Sequence, residues 1–96
     1  MSLRKSQSRF ARKVALLISY AYELGYEITL GDAKSTSGHK DGSFHYKQLA
    51  IDLNLFKNGI YLIETEDHKP LGLFWESIGG TWGGRFGDGN HYSLGE

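Results

Sequence analysis

Large apolar residues alternate strictly with small or polar ones in the middle of the chain. The apolar positions are Leu49, Ile51, Leu53 and Leu55. A period of two is that of a β-strand with one buried face, which leaves Asp52 on the opposite face. The Asn58-Gly59 pair that follows is a preferred two-residue hairpin turn, so residues 60–62 are predicted to return as the partner strand. The sequence therefore predicts an antiparallel sheet at the centre of the fold.

Two other segments have the spacing of amphipathic helices. Apolar residues recur at helical intervals through residues 8–24, at Phe10, Val14, Leu17, Ala21 and Leu24. A second set follows Pro70, which suits a first helical turn, and consists of Leu71, Phe74, Trp75 and Ile78. Short strands are predicted at residues 27–30 and 92–94, and a loop at residues 31–43. Residues 1–96 are thus predicted to form a single α+β domain with a small antiparallel sheet and two main helices.

The chain contains no cysteine, which excludes a disulfide-stapled fold and any thiolate metal site or nucleophile. No segment approaches the roughly 20 apolar residues of a membrane span. The apolar part of the N-terminus is interrupted by tyrosines and runs into Glu23, so a cleavable signal peptide is not predicted. We expect a monomer made in the cytosol.

The charge of the chain is unevenly distributed although the net charge is zero. Five cations precede the first acidic residue, and they are Arg4, Lys5, Arg9, Arg12 and Lys13. One interpretation is a solvated helix face. The other is attraction to an anionic polymer such as nucleic acid, teichoic acid or a lipid surface. A nucleic-acid binder of this kind would bind DNA with an affinity that falls as salt rises and that a chelator does not change.

His45, Asp52 and His91 are candidate metal ligands. Two imidazoles and one carboxylate are the ligand set of an open zinc site, which keeps a position for a reactive water. His45 and Asp52 are an odd number of residues apart, so they can share a metal only if the chain bends near residues 46–48. Asp88, three residues before His91, is placed to manage the proton of that water. The alternatives are that the three candidate ligands never meet, and that Asp88 only shapes a turn.

These residues lie in two motifs that resemble a known family. The segment from Ser43 to Asp52 resembles the S-x-H-x-x-G-x-A-x-D signature of the zinc D-Ala-D-Ala carboxypeptidase and L-alanyl-D-glutamate peptidase family, peptidase family M15. Asp88-x-x-His91 followed by an aromatic residue is similar to its second motif, in which the aspartate is the catalytic acid/base of the phage endolysin branch. The resemblance implies the fold of the Hedgehog signalling domain and Zn²⁺ on His45, Asp52 and His91.

The sequence departs from the family pattern at two positions. Gln48 stands where the family prefers glycine, so the bend must form without that permissive residue. Lys34 is the nearest positional match to an upstream arginine of the family, and a lysine offers charge without a two-pronged fork. Contacts to the substrate or the oxyanion are assigned to Lys34, Ser43 and Trp82. For Trp82 the alternative is packing in the core.

The resemblance implies a zinc peptidase of peptidoglycan stem peptides, similar to a phage lysis enzyme that cleaves the L-Ala-D-Glu bond. The alternatives are a D-Ala-D-Ala carboxypeptidase and a non-catalytic, metal-stabilised domain that binds wall or virion components. The implied partner is bacterial peptidoglycan, and no nucleic-acid partner is expected. A phage or prophage enzyme of this kind would stay in the host cytoplasm until it is released to the cell wall.

Overall fold

Two helices and five strands are present in the residues that the computed structural model describes, 2–32 and 49–94. The helices are α1 (Leu3–Glu23) and α2 (Lys69–Ser77). The strands are β1 (Glu27–Leu30), β2 (Ala50–Lys57), β3 (Ile60–Leu62), β4 (Thr81–Trp82) and β5 (His91–Ser93). Two 3-10 turns, Thr65–His68 and Gly83–Phe86, precede α2 and follow β4. The α+β class predicted from the sequence is confirmed.

Strand β2 is the centre of the antiparallel sheet. One of its edges pairs with β1, from Glu27 opposite Phe56 to Leu30 opposite Leu53. The other edge is shared, because β3 pairs with the C-terminal part of β2 and β5 with its N-terminal part. Strand β4 lies outside β5. His91, the first residue of β5, is paired with Asp52 of β2.

The predicted hairpin between β2 and β3 is confirmed, and the backbone conformation of its turn explains why Asn58 and Gly59 stand there. Asn58 has φ 53° and Gly59 has φ 78°. A two-residue turn that matches the twist of its strands needs positive φ at both positions, and asparagine and glycine adopt that conformation most readily.

Both helices cover the same face of the sheet. The apolar residues of the predicted alternation are buried, and in β2 the small Ala50 is buried as well. Helices α1 and α2 contribute further apolar side chains to this core: Phe10, Leu17, Ala21, Leu71 and Trp75. The indole of Trp75 donates to the Ser93 carbonyl over 2.8 Å, which joins α2 to β5. Lys13 donates to the Ile78 carbonyl at the end of α2 over 2.6 Å, so this cation of the basic segment serves helix packing.

The observed boundaries differ from the predicted ones mainly at the ends. Helix α1 begins at Leu3 rather than residue 8, since the Ser2 side chain accepts from the Lys5 N–H and caps it. Strand β5 begins one residue before the predicted strand, at His91. The predicted loop falls mostly outside the described residues. Among the helices that are described, none has the length and apolar character needed to cross a membrane.

Candidate active site

Strand pairing brings Asp52 and His91 together although they are far apart in the chain. They are direct partners in the register of β2 and β5. Opposite residues of an antiparallel pair project on the same face, so the two side chains can meet. Asp52 Oδ1 lies 3.3 Å from His91 Nδ1, and the two side chains are 24% and 25% exposed. Two of the three candidate metal ligands are therefore adjacent and accessible.

The backbone around Asp52 is held on both edges of β2. The Gly31 N–H donates to the Asp52 carbonyl over 2.8 Å, and the Asp52 N–H donates to the Asp32 carbonyl over 2.9 Å. On the other edge, the Leu53 N–H donates to the Asn90 carbonyl over 2.9 Å. A Cβ at Gly31 would lie 2.8 Å from the Asp52 carbonyl oxygen, so this close approach requires glycine. The carboxylate therefore projects from a rigid part of the sheet.

The geometry of Asp52 and His91 fits a shared zinc ion. Zinc bonds to nitrogen and oxygen are about 2.0–2.2 Å long, and two donors on a tetrahedral ion then lie roughly 3.3–3.5 Å apart. The observed nitrogen–oxygen separation of 3.3 Å falls in this range, and it is also within the range of a hydrogen bond between the two side chains. In residues 2–32 and 49–94, no group of three or more histidine, cysteine or acidic side chains is arranged so that it could hold a metal ion. His45, the predicted third ligand, lies outside the described residues, as do Lys34 and Ser43.

Asp88 lies in an exposed turn that is tied to His91. Its N–H donates to the Gly83 carbonyl over 2.9 Å, and its carbonyl accepts from the His91 N–H over 3.2 Å. A Cβ at Gly83 would lie 2.4 Å from the Asp88 carbonyl oxygen and 2.8 Å from His91 Cβ. The glycine-rich sequence thus allows the chain to fold tightly enough to place Asp88 beside His91.

Trp82 is buried beneath this turn, and its side chain is only 4% exposed. Its indole N–H donates to the Gly89 carbonyl over 2.7 Å. Of the two roles considered from the sequence, packing in the core is the one that this burial supports. Trp82 fixes the turn that carries Asp88, whereas the nearby Phe86 is 81% exposed.

A buried histidine next to the turn was not anticipated from the sequence. His68 immediately precedes α2, and it is only 2% exposed. Its Nδ1 lies 2.8 Å from the Tyr92 hydroxyl. Burial lowers the pKa of His68, and the charges of Asp67 and Asp88 oppose this effect. Burial also raises the pKa of Tyr92, so the phenol stays protonated.

The chain matches the model of a known protein family. A family model described as D-alanyl-D-alanine carboxypeptidase matches residues 36–94, which is more than half of the chain. The matched region includes both motifs singled out in the sequence and the strands that carry Asp52 and His91. No curated protein matches the chain significantly.

Proposed function

The chain belongs to the D-alanyl-D-alanine carboxypeptidase family of peptidases, and from this premise we propose that it is a zinc peptidase of peptidoglycan stem peptides. We propose the L-Ala-D-Glu bond as its target. The observation that carries the proposal is the 3.3 Å approach of Asp52 and His91, one from each family motif. This approach provides nitrogen and oxygen donors at a spacing that suits zinc.

His45, Asp52 and His91 would hold the metal. The chemistry that zinc supplies when bound is Lewis-acid activation of water and of the scissile carbonyl. His45 enters this proposal from the motif alone. Lys34 and Ser43 are proposed to contact the substrate or the developing oxyanion, where a cation and a hydroxyl donor stabilise negative charge.

Asp88 is proposed to be the general base and then the general acid. Its carboxylate would accept a proton from water as the water oxygen bonds to the amide carbon. It would then deliver this proton to the leaving nitrogen as the carbon–nitrogen bond breaks. The Asp88 N–H donates to the Gly83 carbonyl and the Asp88 carbonyl accepts from the His91 N–H, and these two bonds fix the backbone of the turn and so limit the positions of the carboxylate. The choice of the L-Ala-D-Glu bond, and the endolysin role with release from the host cytoplasm, rest on the resemblance of the Asp88-x-x-His91 motif.

A second candidate is removal of the terminal D-Ala from stem peptides, which is the activity named in the description of the matching family model. The two activities use the same metal and the same proton transfer, but their products differ. The first splits the peptide between L-Ala and D-Glu, and the second releases free D-Ala.

The experiment is digestion of purified muropeptides followed by mass analysis of the products. Wild type, Asp88→Ala and a control variant at an exposed acidic residue, Glu66→Gln, would be compared with and without a chelator. We expect chelator-sensitive cleavage by wild type and by the control, and none by Asp88→Ala. If folded wild type loaded with zinc cleaves no wall peptide, the non-catalytic, metal-stabilised domain becomes the better explanation.

A further inference from the structure

The face of the sheet that points away from the helices carries a row of uncharged side chains beside Asp52. Alternate residues of a strand project on one face, so Asn54 and Phe56 follow Asp52 on this face. Thr29 of β1 lies opposite Asn54, and Tyr61 of β3 lies opposite Phe56. We call this set the outer platform, which consists of Thr29, Asn54, Phe56 and Tyr61.

Contacts between these four side chains hold the outer platform in one arrangement. The Tyr61 hydroxyl donates to Asn54 Oδ1 over 3.3 Å, and Asn54 Nδ2 donates to Thr29 Oγ1 over 3.1 Å. The rings of Phe56 and Tyr61 are stacked, with centroids 5.0 Å apart and 24° between their planes. Tyr61 is nevertheless 53% exposed. The outer platform is therefore an ordered surface that a ligand can reach, and little rotamer freedom is left to lose on binding.

The outer platform is continuous with the proposed active site. Asn54 follows Asp52 by two residues on the same face, which is about 7 Å along β2. Tyr61 lines a cavity of about 180 Å³ that Asp88 also lines. In the other direction along β2, Ala50 is fully buried. A substrate that occupies the site and extends along this face of β2 therefore passes over Asn54 toward Tyr61.

The chemistry of the outer platform suits a sugar ring. The electron-rich face of an aromatic ring attracts C–H groups, which the faces of a sugar present. The hydrogen bonds within the platform use only part of its capacity, because the Thr29 hydroxyl and the Asn54 amide each keep a proton to donate and the Tyr61 oxygen can still accept. These groups match the hydroxyl and acetamido groups at the edge of an N-acetylated sugar. Glu27, opposite Phe56, is a further acceptor for hydroxyls, and its charge would repel the free carboxylates of a stem peptide.

We propose that the outer platform binds the sugar to which the stem peptide is attached, so that glycan-linked peptides are cleaved better than free ones. In peptidoglycan the L-Ala residue is joined through a lactyl group to an N-acetylated sugar. The lactyl group has the backbone length of one residue, so the scissile carbonyl and the sugar are about two residues, or roughly 7 Å, apart. Asp52 and Asn54 have the same spacing along β2. The inference rests on the proposed cleavage of the L-Ala-D-Glu bond.

The first test compares two substrates that differ only in the sugar. One is the stem peptide on N-acetylmuramic acid, and the other is the N-lactoyl peptide, which keeps the lactyl group and lacks the ring. For wild type loaded with zinc we expect kcat/KM to be at least about tenfold higher for the muramyl peptide, the effect of one or two net contacts. Equal values for the two substrates would overturn the inference while leaving the peptidase function intact.

Variants on β3 show whether the outer platform causes the preference. Tyr61→Ala removes the ring and the hydroxyl, so the preference for the muramyl peptide should largely disappear. Tyr61→Phe keeps the ring and should retain part of it. Ile60→Ala is the matched control, because Ile60 is also exposed but projects on the other face of the strand, and it should keep the full preference. A preference that survives Tyr61→Ala, or that Ile60→Ala lowers equally, would place the sugar elsewhere and refute the assignment.

The second test does not depend on cleavage. Aromatic ¹H–¹³C spectra of wild type would be recorded while N-acetylmuramyl-L-alanine methylamide or N-lactoyl-L-alanine methylamide is added to about 10 mM, where ligands of millimolar affinity are largely bound. We expect the ring signals of Tyr61 and Phe56 to shift with the muramyl compound and to stay unchanged with the lactoyl compound. No shift, or equal shifts from the two compounds, would overturn the inference. If the rings respond as expected but zinc-loaded wild type cleaves no wall peptide, sugar binding stands and the peptidase function fails.

Discussion

Gly72 in α2 provides a sharp test of how the core supports the site. A Cβ at this position would lie 2.1 Å from Cδ2 and 2.4 Å from Cε2 of the Trp82 ring. Carbon atoms in contact are about 3.5 Å apart or more, so Gly72→Ala would force a displacement of roughly 1.4 Å. The ring resists this movement because its N–H is bonded to the Gly89 carbonyl over 2.7 Å.

The expected cost follows from two opposing contributions. Overpacking a well-packed core typically costs about 1–3 kcal/mol, and replacing glycine by alanine inside a helix recovers about 1 kcal/mol. Since the hydrogen bond to Gly89 restrains Trp82, the upper part of the overpacking range applies. We predict a net loss of about 1–2 kcal/mol in the free energy of unfolding. For a domain of this size that corresponds to a Tm lower by roughly 4–16 °C.

Thermal and urea unfolding followed by circular dichroism would measure the effect of Gly72→Ala. Leu73→Ala, at an exposed position of the same helix, is the control and should change stability little. In a Trp82→Leu background the clash is absent, so adding Gly72→Ala should cost nothing or stabilise the helix. A Gly72→Ala protein as stable as wild type in the Trp82 background would refute the packing described for this helix.

Two further predictions concern titratable groups. Burial lowers the pKa of His68 from its ordinary 6.5 despite the charges of Asp67 and Asp88, so below that pH the unfolded chain binds a proton that the folded chain does not. Stability should therefore fall as the pH drops below 6.5, with a slope of up to about 1.4 kcal/mol per pH unit from this group. Urea titrations at several pH values should show a weaker dependence in His68→Gln, and identical profiles would contradict the assignment. Arg85 donates to Glu76 over 2.7 Å and 2.9 Å at an exposed surface, so Arg85→Gln should lower Tm only slightly, and any difference should vanish in about 1 M salt. A large loss that persists in salt would show that this ion pair matters more than its exposure implies.

Local sequence patterns were sufficient to predict the main elements of the fold. The alternation around Asp52 predicted both the strand and the face on which this carboxylate lies, because a period of two fixes the direction of each side chain. The Asn58-Gly59 turn was equally direct, since few residue pairs accept positive φ at both positions. Strand β4 was missed because its two residues adjoin glycines, and its pairing with β5 is a tertiary contact.

The site was only partly accessible to sequence reasoning. The two motifs suggested that Asp52 and His91 bind the same metal ion. These residues are 39 positions apart, however, and their approach depends on the register of the two strands that carry them. The burial of His68 was not predicted because its neighbours Asp67 and Lys69 are charged, which is typical of an exposed helix start. Its burial depends on Tyr92, 24 residues later in the chain. Long-range contacts of this kind leave no local periodic signal.

The central claim is that Asp52 and His91 are ligands of one zinc ion, with His45 as the third. Calorimetric titration of zinc into metal-free protein tests it most directly, with wild type, Asp52→Ala, His91→Ala and His45→Ala compared. Glu27→Ala, an exposed acidic position on β1, serves as the control. We predict that wild type and the control bind one equivalent of zinc and that each ligand variant, folded by circular dichroism, loses tight binding. Zinc binding that is absent from wild type, or unchanged in Asp52→Ala and His91→Ala, would contradict the account.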